Sequence, residues 1–177
     1  MRKLFQWWSL ILFSLYTLPC QTFAQSSNFP DRPIKLVVPF TAGGNVDISA
    51  RIIGKSLTDK LSQSVIIDNK PGANSMIGTD FVAKANPDGY TLLVAGAEGL
   101  VINQLIYAKK TYDTLKDFTA VGVIGSFPFA LVISAKSSIN SLHELVQFAK
   151  ENPNKLNYSS WGIGSTSQIT FEKFKKV

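Results

Sequence analysis

Two short stretches of the chain set glycines between an apolar run and a polar helical pattern. The first is Phe40-Thr41-Ala42-Gly43-Gly44, followed by Asn45-Val46-Asp47. The second runs Ser160-Trp161-Gly162-Ile163-Gly164-Ser165-Thr166-Ser167-Gln168. Glycine admits positive φ and lets a ligand come close to the backbone. A helix start just beyond it offers unpaired N–H groups and the positive end of the helix dipole. The combination is an anion site that needs no lysine or arginine, and neither stretch has a basic residue at its centre. The plain alternative is a tight β–α turn in the first case and a serine-capped turn in the second. Their repetition on what read as separate lobes favours a clamp, each turn holding one carboxylate of a small molecule. Asp47 would repel an anion if it pointed inward, so its expected role is to cap the helix or order the loop.

Enzymatic readings find few residues. Gly43-Gly44 does not extend to the dinucleotide fingerprint. Gly162 and Gly164 begin that pattern, but Ser167 stands at its third glycine, and no phosphate-loop sequence with a following lysine occurs. Ser165 resembles part of a nucleophile elbow, with Ser167 where the second glycine belongs. The one histidine, His143, falls in a helix-capping sequence as a solvated residue, and no acidic cluster has metal-ligand spacing. An exported α/β hydrolase-like enzyme using Ser165 is therefore the rival to a binding protein. No cofactor and no metal are expected.

The elements that must carry these turns alternate in type. Ile34 to Phe40 is an apolar run interrupted only by Lys35, as in a strand buried on both faces. Asn45 to Leu61 reads as a helix with Ile48, Ile52, Leu57 and Leu61 on one stripe. Strands follow at Ser64–Asp68 and Tyr90–Ala95, with a helix over Ser75–Ala85 between them and a short helix over Leu100–Tyr107 after them. This β-α-β-α-β order predicts a parallel sheet. Residues 119–134 read as two strands, Thr119–Gly125 and Phe129–Ser134, crossing between lobes. Ser141-Leu142-His143-Glu144 is a capping box opening a helix that ends near Pro153. Leu156–Ser160 then reads as a strand, and residues from Ser165 onward as a helix.

Composition bounds the rest. The 177 residues are 45% hydrophobic and 17% charged, enough to bury a core. The net charge of +6 comes from scattered lysines and arginines without an aromatic-interleaved stripe, so no nucleic-acid partner is expected. Residues 1–24 have a basic start, an apolar run, the break at Pro19 and small residues at Thr22 and Ala24: the layout of a secretory signal peptide. The apolar run falls short of the roughly 20 residues a membrane span needs, so no stable membrane insertion is expected after cleavage. Cys20, the only cysteine, lies within this leader.

The stretches FPDRPIKLVVPFTAGGNVD (29–47), IIDNKPGANSMIGTDFVAKANPDGYTLLVAG (66–96), YDTLKDFTAVGVI (112–124) and LNYSSWGIGSTSQ (156–168) together resemble the Bug family, periplasmic solute receptors associated with tripartite tricarboxylate transporters. The resemblance implies an α/β, type II periplasmic-binding-protein-like fold, with two lobes closing on a carboxylated ligand that is then offered to membrane transporter subunits. It divides the chain into a leader (1–24), lobe one (25–118), crossing strands (119–134) and a partial lobe two (135–177). It places Phe40, Thr41, Ala42, Gly43 and Gly44 at one carboxylate. Gly96, Ala97, Glu98 and Gly99 border the cleft, and Ser160, Gly162, Gly164, Ser165 and Thr166 hold the other end.

Three positions depart from the family pattern. Gln168 stands where histidine is usual, Glu98 where the loop is normally asparagine- or glycine-like, and Trp161 where a small residue is expected. Family members are also about twice as long, which implies a truncated or degenerate product, or half of a split protein, with Ile169, Phe171 and Phe174 left without partners. A remnant without function is the further alternative to a receptor.

Overall fold

Aliphatic side chains on both sides of Ile34-Lys35-Leu36-Val37-Val38 require cover above and below the strand. In the computed structural model, which describes residues 28–176, this run is β1 (Ile34–Val38), the middle strand of a parallel sheet ordered β2–β1–β3. β2 spans Val65–Asn69 and β3 spans Thr91–Leu93, and Leu36 lies opposite Ile67 on one side and Leu92 on the other. Helix α1 (Asn45–Leu61) connects β1 to β2, and α2 (Met76–Ala83) connects β2 to β3, in the order the sequence predicts. The expected leader lies outside the described residues.

The core gathers on β1. Ile34, Leu36, Val38, Ala50 and Val94 are buried together, with Phe40, Val46, Leu61, Val65 and Ile67 packed against them. The expected stripe on α1 needs correction. Ile48 and Ile52 are 51% and 66% exposed, while Asp47, Ala50 and Gly54 are the buried positions. The helix lies so close to the sheet that a Cβ on Gly54 would stand 3.0 Å from Ile67 Cδ1. Small residues permit that approach where isoleucine would hold the two layers apart.

A polar knot fixes the chain where it enters the sheet. The Asp31 N–H donates to the Tyr90 hydroxyl at 2.9 Å, and that hydroxyl donates to Asp31 Oδ1 at 2.7 Å. Arg32 pairs with Asp88 at 2.9 Å and lies over the Tyr90 ring at 4.1 Å. Hydrogen bonding to Asp31, with a smaller contribution from burial, raises the Tyr90 phenol above its ordinary value.

Beyond β3 a widened helical turn, Glu98–Ile102, runs into α3 (Asn103–Ile106), so the short helix expected from Leu100 starts earlier and takes in Glu98. Three bonds hold this turn. The buried Tyr112 hydroxyl donates to the Gly99 carbonyl, Thr114 Oγ1 donates to the Leu100 carbonyl, and Gln104 Nε2 donates to the Tyr112 carbonyl. The short α4 (Thr114–Asp117) follows, capped by Asp113 accepting from the Leu115 N–H.

Residues 119–134 form no strand, against expectation, and Val121 and Val123 are 87% and 94% exposed. Their β-branched composition suits a strand, but a strand exists only where a neighbour takes its N–H and C=O groups. Leu156–Ser160 is likewise extended without a ladder. Helix α5 (Leu142–Glu151) has the expected serine cap, Ser141 Oγ accepting from the Glu144 N–H, whereas the Glu144 carboxylate reaches one residue further back, to the Asn140 N–H. In α6 (Thr166–Phe174), Phe171 stacks on Tyr158 at 4.0 Å and also meets Phe174, so these two aromatics have partners and Ile169 alone of the expected trio is exposed.

The two isoleucines and the β1 core separate cleanly by mutation. Leu36→Ala should cost about 2–5 kcal/mol in urea unfolding, whereas Ile52→Ser should stay within about 0.5 kcal/mol of the parent; an equal loss for both would refute the corrected packing of α1.

Candidate functional site

The first glycine turn is braced from inside. Gly43 has φ +86, a conformation that costs a side-chain-bearing residue, and its N–H donates to Asp47 Oδ2 at 2.8 Å. Arg51 Nε donates to the same oxygen at 2.9 Å, and Asn69 Nδ2 donates to Asp47 Oδ1 at 2.9 Å and to the Phe40 carbonyl at 3.1 Å. The Asp47 side chain is 2% exposed. Bonding from Arg51, then from the Gly43 N–H and the Asn69 amide, holds its carboxyl down at about 2. Asp47 therefore orders the loop, as expected, and turns toward the protein.

The second turn repeats the device with a neutral acceptor. Gly164 has φ +79, and its N–H donates to Gln168 Oε1 at 2.7 Å, again four residues on. Ser165, 1% exposed, caps α6: its Oγ accepts from the Gln168 N–H at 3.2 Å and donates to the Gly162 carbonyl at 2.7 Å. Trp161 N–H donates to Ser167 Oγ, and Gly162 N–H donates to Ser160 Oγ. Many of the amides expected to stand bare thus already have protein acceptors. A buried donor without one would be costly, and nearby serine and glutamine side chains meet that need locally.

Two contacts across the chain tie the second turn to the first half of the sequence. Asn74 Nδ2 donates to the Gly164 carbonyl at 3.0 Å and to Asn103 Oδ1 at 3.0 Å, while Asn103 Nδ2 returns a bond to the Asn74 carbonyl. Glu98, 5% exposed, accepts on Oε1 from both the Thr166 N–H and the Thr166 hydroxyl. Its other oxygen lies over Gly96, where a Cβ would stand 2.6 Å from it and 3.9 Å from the Phe40 ring. A Cβ on Gly164 would collide with Ile106 Cδ1, so the second turn sits directly on α3.

Phe40, Thr41, Gly44, Glu98, Ser165 and Thr166 line one groove with a cavity volume of about 2290 Å³. It exceeds the roughly 300–1,000 Å³ of a small-ligand pocket, because it continues along α1 to the extended arm 118–130. Of the other expected site residues, Ala97 also lines it, Ala42, Gly43, Ser160, Gly162 and Gly164 do not, and Gln168 is turned onto Gly164. Asn74 and Asn103 escaped sequence reading. Asn74 adopts φ +51 just after Pro71-Gly72, and that turn was the only available signal. Ser165 has no histidine near it in the hydrogen-bond network, and His143 is an exposed residue of α5. Among the described residues no group of histidine, cysteine and carboxylate side chains could hold a metal, and no helix is long and apolar enough to cross a membrane.

The Asp47 brace has a pH signature. Its folded carboxyl titrates at about 2 against an ordinary 3.8, so its contribution is complete above pH 3.8 and is lost as pH falls through about 2. Melting temperature followed against pH should drop less steeply across that window for Asp47→Asn than for the parent; parallel curves would remove Asp47 as the loop's ionised brace.

A family model described as the tripartite tricarboxylate transporter family receptor matches residues 49–177. A UPF0065 protein of Pseudomonas sp. is 41% identical over 80% of this chain and 42% of its own length. Among solved structures, an R. palustris protein with adipate superposes with TM-score 0.78 at 37% identity, covering 83% of this chain and 49% of that one. The periplasmic binding protein BugD gives TM-score 0.67 at 31% identity, covering 84% and 49%. The chain spans about half the length of the relatives it matches. With its sheet order, its two glycine turns and a family match over most of its residues, the chain belongs to the Bug group of tripartite tricarboxylate transporter family receptors and has their periplasmic-binding-protein type of α/β fold.

Proposed function

We propose that this chain contributes the ligand-binding part of an exported solute receptor, which captures a small organic acid and presents it to membrane transporter subunits. Residues 25–118 would form lobe one, 119–134 the crossing and 135–177 the start of lobe two, with residues 1–24 directing export to the periplasm. The observation that carries the reading is the seating of the second glycine turn against lobe one, on Glu98 and Asn74, at the groove that the first turn also lines. The adipate seen in the R. palustris relative is the kind of molecule such a groove accepts.

In this reading one ligand carboxylate lies against Phe40, Thr41 and the Ala42-Gly43-Gly44 backbone. The opposite end of the ligand meets Glu98, Ser165 and Thr166. Asp47 and Gln168 act behind the turns, holding Gly43 and Gly164 in place. Closure removes water from the groove and strengthens each polar contact. No cofactor takes part. Ser165 serves as a helix cap and no bond is made or broken; the hydrolase alternative has no observation in its favour.

Thermal-shift titration of the purified chain against small carboxylic acids tests this. A true ligand at about 100 times its Kd should raise stability by about 2.7 kcal/mol. Ser165→Ala should lower the melting point by a lost cap, about 1 kcal/mol, without removing any turnover. A covalent adduct with a serine-directed phosphonate would overturn the receptor reading.

A further inference from the structure

A carboxylate already sits at the end of the groove where a second ligand carboxylate would be expected. Glu98 comes from lobe one, 68 residues before Thr166 in the chain, and takes both the backbone N–H and the hydroxyl at the start of α6. It is 5% exposed, and its second oxygen lies beside Gly96, on a side of that glycine where the Phe40 ring is also close. Among the described residues, no lysine, arginine or histidine lies within ion-pair distance of it. A buried carboxylate without a cation is a costly arrangement, normally relieved by pairing. Here both bonds engage one oxygen, the other has no protein donor among the described residues, and Glu98 lines the groove.

Resting on the receptor reading above, we propose that Glu98 is the specificity-determining residue of the groove. Its carboxylate fills the acceptor place at the start of α6, so the ligand end that arrives there carries an ammonium rather than a second carboxylate. The substrate class is then an amino acid with its two charged groups at opposite ends. Its carboxylate meets the first glycine turn, and its ammonium supplies the cation that Glu98 lacks. A dicarboxylate of the same length would bring two like charges together in a groove that screens them less than bulk water. Such exclusion by a like charge is a common means of discriminating between ligands of one shape.

The test is calorimetric titration of the purified full chain and of Glu98→Gln with length-matched pairs: γ-aminobutyrate with succinate, δ-aminovalerate with glutarate, and ε-aminocaproate with adipate. The parent should bind the amino acid of at least one pair at least about tenfold more tightly than its dicarboxylate. Glu98→Gln, which keeps an oxygen for Thr166 and drops the charge, should erase or reverse that preference. A parent that binds the dicarboxylate equally well or better overturns the inference while leaving the receptor reading intact. A preference that persists in Glu98→Gln overturns the role of Glu98. Where Glu98→Gln fails to fold, the parent's ratio decides by itself. Binding of neither member of any pair by either protein overturns the receptor reading and this inference with it.

Discussion

The placement of α6 and its glycine turn depends on two polar side chains reaching across from the first half of the chain. Asn74 accepts and donates in a small network with Asn103 and hands one bond to the Gly164 carbonyl, while Glu98 binds the start of α6. Both are largely enclosed, where hydrogen bonds are electrostatically strong and unsatisfied partners are penalised. The residues between them supply little other support: 119–134 form no ladder and are exposed almost throughout. Hydrogen bonds give this junction its direction, and Ile106 under Gly164 and Phe129 beside Trp161 add apolar contact.

The two turns share a construction rule that differs in charge. Each has a glycine at positive φ whose N–H is held by a side chain four residues later in the first turn of the next helix. In the first turn that side chain is Asp47, ionised and supported by Arg51 and Asn69; in the second it is Gln168, neutral, with the serine cap beside it. An internal acceptor fixes the turn before any ligand arrives, so less conformational freedom is lost on binding. The same internal acceptors leave fewer backbone donors free at each turn. Glu98 differs from both acceptors, because its bonds run to a helix start in the other half of the chain.

Much of this was legible in the sequence because it is local. The apolar run of β1, the glycine turn after it and the full extent of α1 follow from patterns within a few residues, and so does the serine cap of α5. The buried face of α1 departs from the expected stripe because isoleucines outweigh alanine and glycine in a hydrophobic pattern. Closeness of the sheet, at Gly54, is a tertiary fact that the pattern does not contain. The strands expected over 119–134 and 156–160 failed for a related reason: composition can favour extension, but only a neighbouring strand completes it. The Glu98–Thr166 contact spans 68 residues, beyond the reach of any spacing rule, and Glu98 stood out in the sequence only as a departure from the family pattern.

The knot of Asp31, Arg32, Asp88 and Tyr90 gives the signature stretches a different meaning from the one their prominence suggests. FPDRPI and PDGYTLL are two halves of a single fastening, lying away from the groove's polar end and holding the edge strand β3 beside the chain's approach to β1. The four polar side chains in these two stretches therefore testify to how the frame is tied together. In these two stretches a match reports first on how the sheet is fastened.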